Sequence, residues 1–323
     1  MSRKKKNLTY AGIIILMLSI VFFSNSESSR KIETAVVDQS LNKLDGNLRF
    51  IAHTDQEVSD AIKHGCKKIR EVRDLRSLIC PESIKSIAPS LNLQEDIQIF
   101  EMDSAVNKKI RANSIQSSGN TGSGKKIVII DTGYNYYHPE LSSSYLGGID
   151  FVNYDNDPFD DNGHGSHVAG IITADGININ AKGVAPDTGI ISVKALNNAG
   201  SGFISDVIAG IYYAIDGPDG IYGTSDDFNV DAISMSLGTR LPYVYNEFCD
   251  SVLPDMTNAI NYAKNKGVVV VSAAGNSGSY GVSIPGCISS STTVGAVYIF
   301  DFIAGFSGRG SAVDLTAPGV YIL

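Results

Sequence analysis

Between residues 120 and 320 the apolar positions fall in short unbroken runs: Ile127 to Ile130 (IVII), Gly189 to Leu196 (GIISVKAL), Asp231 to Ser236 (DAISMS) and Val268 to Ser272 (VVVVS). Successive side chains of a strand point to opposite faces, so an unbroken run predicts a strand covered on both. Helical spacing fills the intervals at 165–174, 205–215 and 255–266. Strands alternating with helices predict an α/β fold with a doubly wound, mostly parallel sheet. Such sheets collect their chemistry at the carboxyl ends of the strands.

The front of the chain is patterned differently. Arg3, Lys4, Lys5 and Lys6 precede an apolar run from Ala11 to Phe23, which is shorter than the ~20 residues a membrane-crossing helix needs. With Ser24-Asn25-Ser26 behind it, this reads as a secretory signal peptide over 1–26; the alternative is an uncleaved anchor that would hold the protein at the cell surface. Residues 27–47 are weakly patterned and read as a linker. From Leu48 the pattern tightens: LRFIAH predicts a strand, Thr54 and Glu57 a capping box for the helix that follows, and IQIFEM (97–102) another strand. Residues 48–112 thus read as a small α+β unit, with 113–124 as an open junction at the start of a larger domain over 113–323.

Composition sharpens the division. With 43% hydrophobic and 19% charged residues the chain can bury a core, which excludes a mainly disordered protein. Residues 1–115 carry a net charge of +4 and residues 116–323 a net −12. A body that acidic lacks the cations to displace phosphate counterions, so nucleic acid is excluded as a partner. Cys66 and Cys80 fall in the leader, Cys249 and Cys287 in the body. In an exported protein, one bridge within each half is the simplest of three pairings.

Three short segments carry candidate chemistry. Asp131 follows IVII directly, which places a carboxylate at the carboxyl end of a buried strand. In DDNGHGSHVAG (Asp160 to Gly170), His164 lies between two glycines at a helix start, where the backbone can approach a partner closely. His167 follows three residues on, but no third ligand at metal-binding spacing accompanies the pair. In VVVVSAAGNSG (Val268 to Gly278), Asn276 has an amide able to donate to a developing oxyanion.

In this order, on these motifs, Asp131, His164 and Asn276 resemble the subtilisin-like serine proteases, the subtilase family. The resemblance runs from Lys125 to Val320 and includes HPEL (138–141), KGVAPDTGIISVKAL (182–196), SMSLG (234–238) and DLTAPGV (314–320). It implies that Asp131 orients the imidazole, that His164 acts as general base and then acid, and that Asn276 is the oxyanion donor. It further implies that Gly200-Ser201-Gly202 and Ser236-Leu237-Gly238 flank a bound peptide, and that the loop beginning at Gly275 walls a side-chain pocket. The leader then corresponds by position to a propeptide that inhibits in cis, with processing expected in 105–120. No cofactor is implied for catalysis. Asp150, Asn153, Asp155 and Asp157 resemble a structural calcium loop, and Asp216, Asp219, Asp226 and Asp227 form a second acidic loop.

One element of the family's pattern has no counterpart here. The nucleophile belongs to a Gly-Thr-Ser-Met-Ala-like motif after the APGV element, and residues 320–323 do not contain it. Gly223-Thr224-Ser225 is followed by Asp226 and Asp227, and it precedes Asn276 against the family's order. The expectation is therefore a fragment of a secreted serine endopeptidase, inactive as given. An inactive peptide-binding or inhibitory module is the alternative. Two lookalikes fail: the Gly119–Lys125 loop lacks the Ser or Thr of a phosphate-binding loop, and Asp187-Thr-Gly does not follow a strand as an aspartic protease pair requires.

Overall fold

The computed structural model describes residues 47–101, 110–178, 181–320 and 322. The signal-peptide reading, and the linker reading up to residue 46, lie outside them.

Strand β1 (Asn47–Ala52), helix α1 (Asp55–Lys63) and strands β2 (Lys67–Val72), β3 (Leu75–Pro81) and β4 (Gln94–Glu95) form an antiparallel sheet in the order β2-β3-β1-β4 with one covering helix. The capping box is present: Thr54 Oγ1 accepts from Glu57 N at 3.2 Å, and Glu57 Oε2 accepts from Thr54 N at 3.0 Å. It fixes α1 so that Val58 and Ala61 meet Leu48, Phe50 and Leu78. Cys66 is bonded to Cys80, tying the approach to β2 onto β3.

Strand β5 (Gln98–Glu101) does not join this sheet. It lies antiparallel between two strands of the larger domain, described below. Helix α2 (Ala112–Ser117) then occupies what the sequence presented as an open junction, because the Gln116 amide donates to the carbonyls of Gly183 (2.8 Å) and Val184 (3.0 Å).

The larger domain runs β6 (Lys126–Asp131), β7 (Tyr145–Asp150), α3 (His164–Thr173), β8 (Gly189–Lys194), β9 (Ser201–Phe203), α4 (Ile204–Asp216), β10 (Ala232–Met235), β11 (Leu237–Gly238), β12 (Val244–Tyr245), α5 (Pro254–Asn265), β13 (Val269–Ala273), β14 (Val282–Ser283), β15 (Thr292–Val297) and β16 (Leu315–Pro318). Seven of these strands form one parallel sheet in the order β16-β15-β13-β10-β6-β8-β7. Both faces are covered, as the unbroken runs require. Val128 and Ile130 point into a core shared with α4 and α5, whereas Ile127 and Ile129 point into one shared with α3. The second predicted disulfide, Cys249–Cys287, is also formed.

Because the seven strands are parallel, their carboxyl ends lie along one edge. Asp131 ends β6, and Asn276 follows β13 by three residues, two strands away. The loop carrying Ser225 connects α4 to the start of β10 and lies at the opposite edge.

Candidate active site

Asp131 is fully buried, and its Oδ1 accepts from Thr132 N at 2.6 Å and meets His164 Nδ1 at 2.5 Å. This pairing needs the first turn of α3 to lie against the loop after β6. Gly165 permits it: a Cβ there would stand 2.2 Å from the Gly133 carbonyl oxygen. Thr132 Oγ1 locks the contact, accepting from Gly165 N at 2.8 Å and donating to Asp160 at 2.9 Å.

Asp160 organises the turn into α3. Its carboxylate also accepts from Asn162 N (3.1 Å), Gly163 N (2.8 Å), Ser166 N (2.8 Å) and Ser166 Oγ (2.5 Å). Burial alone would raise its pKa, but the donors from Gly163, Ser166 and Thr132 outweigh burial and hold the carboxyl below its usual range. Beneath the pair lies Lys194, the last residue of β8 and 1% exposed. Its Nζ donates to the carbonyls of Thr132 (2.6 Å) and Leu196 (3.1 Å) and to Asp161 Oδ1 (2.5 Å). One ammonium thus joins the segment after Asp131, the segment before His164 and the lead-in to β9. Sequence reasoning missed both residues. The signals were a lysine inside an otherwise apolar run and an aspartate four residues before His164.

The two predicted peptide-flanking segments are assembled around β5. Ser201 pairs with Phe100, Gly202 with Ile99 and Phe203 with Gln98 on one side; Leu237 pairs with Glu101 and Gly238 with Phe100 on the other. Gly202 is required, since a Cβ would stand 2.0 Å from the Ala195 carbonyl oxygen. Gly200 turns the chain into β9, and Ser236 is buried between β10 and β11. The strand between them belongs to this chain's own leader, so the groove is filled.

Gly275 and Asn276 follow β13 at the same edge of the sheet, with Asn276 half-buried. The Asn276 Oδ1 accepts no hydrogen bond among the described residues. Ser225 lies in an exposed turn whose neighbour Thr224 donates to Asp226, far from Asp131 along the topology. His167 lies farther along α3, and no group of three His, Cys, Asp or Glu side chains converges for a metal among the described residues.

The acidic loop after β7 is bonded to itself. Asp150, whose carboxyl burial pushes up, accepts from Val152 N and Asn153 N through Oδ1 and from the Asn153 amide through Oδ2. Asp155 accepts from Asp157 N, and Asp157 accepts from the Tyr136 hydroxyl at 2.6 Å. In this geometry these side chains hold the loop through protein donors, and no three carboxylates converge for a metal among the described residues.

The sequence profile of the subtilase family matches residues 122–322. The chain belongs to the subtilase family. Over 202 residues it is 43% identical to the thermophilic serine proteinase of Bacillus sp. (strain AK1), covering 62% of this subtilase and 45% of that protein. It is 40% identical to thermitase of Thermoactinomyces vulgaris over 204 residues, 62% of this chain and 65% of that one. Similarity to an alkaline protease of Alkalihalobacillus alcalophilus extends across the leader as well: 30% identity over 95% of this chain and 78% of that protein. The subtilase thus spans about half of the first of these relatives and about two thirds of the second.

Proposed function

We propose that the complete protein is an exported serine endopeptidase whose groove is held shut by its own leader until that leader is cut away. The observation that carries the reading is the 2.5 Å contact of a buried carboxylate with His164 Nδ1, beside a groove already holding an extended strand. Asp131 fixes the ring so that Nε2 is the nitrogen offered to a nucleophile, and its charge stabilises the imidazolium formed when the proton arrives. A serine hydroxyl, supplied by chain following Leu323, gives up that proton and attacks the peptide carbonyl. His164 then protonates the departing amine. Asn276 donates to the carbonyl oxygen as it gains charge, and each such donor is worth ~3–4 kcal/mol in the transition state.

Backbone pairing to β9 and β11 reads the substrate as an extended strand, which suits polypeptides of many sequences. Strand β5 occupies that groove as part of a leader that inhibits in cis, and the first cut falls within 105–120. No cofactor takes part in the chemistry. Export rests on the Arg3–Ser26 pattern; among the described residues no helix is long and apolar enough to cross a membrane.

The test is expression of the complete coding sequence with and without His164→Ala, followed by intact mass and hydrolysis of a synthetic peptide. Leader loss and turnover in the parent, both absent from the variant, are the expected result. A full-length chain that neither sheds its leader nor cuts peptide, yet binds peptide, would make it an inactive binding module.

A further inference from the structure

The face that the larger domain turns toward the leader contains a site shaped for one chemical group. Arg49 of β1 is 5% exposed, with its guanidinium 4.0 Å from the centroid of the Phe203 ring. It donates to Ser205 Oγ at 2.8 Å and to the two oxygens of Asp206 at 3.2 and 3.3 Å. Arg70 of β2 brings a second guanidinium to Asp206. Within the leader, Asp96 closes the remaining side, 3.0 Å from Arg49 Nε. The domain's own share is an aromatic platform, a hydroxyl acceptor and a carboxylate met through both oxygens. That set matches a planar, many-donor guanidinium better than a compact ammonium.

The position of this site ties it to the groove. Phe203 ends β9, the strand that pairs with the occupant, and Ser205 and Asp206 lie in the first turn of α4. The occupant continues alongside: Ile204 N donates to Ile97 O at 3.0 Å, and Ser205 N donates to Asp96 Oδ1 at 3.0 Å. A peptide following the same track leads its upstream residues past Asp206. Departure of the leader removes Arg49, Arg70 and Asp96 together, and opens the Asp206 carboxylate, 3% exposed beneath them, to solvent and to another cation. The Phe203 ring and the Ser205 hydroxyl stay beside it, so an incoming guanidinium regains a stacking face and hydrogen bonds that water alone does not supply.

We infer that Phe203, Ser205 and Asp206 form an arginine-binding subsite of the opened groove. It selects polypeptides with an arginine upstream of the residues that pair with β9, near the places held here by Asp96 and Ile97. This rests on the reading of the groove as a substrate cleft.

Two measurements test it. In the first, the processed wild-type enzyme cuts a peptide series in which one arginine is moved residue by residue upstream of the cut, each paired with its neutral citrulline counterpart. One position is expected to gain about tenfold in kcat/KM, carried by KM, from a charge-assisted contact. The gain should shrink at high salt and vanish in Asp206→Asn. No position differing more than about twofold, or a preference that survives Asp206→Asn, overturns the inference. In the second, the full chain carrying Arg49→Ala is melted with ethylguanidinium or ethylammonium. A rise in Tm specific to ethylguanidinium, absent from Arg49→Ala/Asp206→Asn, is expected, and equal response to both cations overturns the site. The second measurement needs no cleavage, so an enzyme that cuts nothing sinks the endopeptidase reading while the rescue still decides this one. The peptide series uses the wild-type chain and stands even if Arg49→Ala does not fold.

Discussion

Lys194→Met isolates the residue on which the site's framework converges. Methionine fills nearly the same volume and removes the donor that serves the Thr132 and Leu196 carbonyls and Asp161. Asp161 is 46% exposed, so its share of the ion pair is screened and small, at most ~1 kcal/mol. The two carbonyls decide the outcome. Each costs ~1–3 kcal/mol when left buried without a partner, and loss of a desolvated ammonium offsets part of that sum. A net destabilisation of about 2–4 kcal/mol follows, or a Tm lowered on the order of 5–10 °C for a chain of this size. Scanning calorimetry on the 323-residue chain provides the measurement, with Asp161→Asn as the comparison expected to shift Tm by no more than about 3 °C. Equal shifts in the two variants would refute the argument, since the ion pair rather than the carbonyls would then dominate. So would an unchanged Tm in Lys194→Met.

Other perturbations separate the remaining claims. Asp160, held below the usual carboxylate range, contributes stability that is present above its unfolded pKa of ~4 and is lost as pH falls through the folded value. Asp160→Asn should therefore flatten the acid limb of Tm against pH, and an unaltered limb would show that the His164 turn does not depend on that charge. Removing the Cys249–Cys287 bridge, which spans 38 residues, is expected to cost ~4 kcal/mol by loop-closure entropy, read as the urea-midpoint difference between oxidised chain and the double serine variant. Gly202→Ala in the complete enzyme should raise KM more than it lowers kcat, because β9 must shift to relieve the contact with Ala195; an unchanged KM would remove β9 from substrate binding. Since Asp150 spends both oxygens inside its own loop, EDTA should leave Tm within about 1 °C. A larger drop, abolished by Asp155→Asn with Asp157→Asn, would establish calcium there.

The central strands were legible because burial on both faces leaves an unbroken apolar run, and β6, β8, β10 and β13 all carry one. Edge position and glycine obscured the others. YLGGID in β7 has two glycines, TTVGAV in β15 one, and LTAP in β16 ends on proline, so none forms a long run. In the leader, β2 reads as a charged segment (KKIREV) because only part of each face is covered. The segment IQIFEM was read correctly as extended but not by location: its strand pairs with a groove more than 100 residues farther along the chain, and local pattern carries no record of that partner. Asp131 and His164 were legible from their motifs. Asp160 and Lys194 were not, since their roles come from five donors and three acceptors that only the folded loops bring together.

In the proposed mechanism Asp131 and His164 serve a nucleophilic serine carried by chain beyond Leu323. Labelling the complete, processed protein with a serine-directed phosphonate and mapping the modified peptide tests it most directly. One labelled serine, within a Gly-Thr-Ser motif following residue 323, and no labelling in His164→Ala are expected. Label on Ser225, or label of undiminished intensity in His164→Ala, would contradict it.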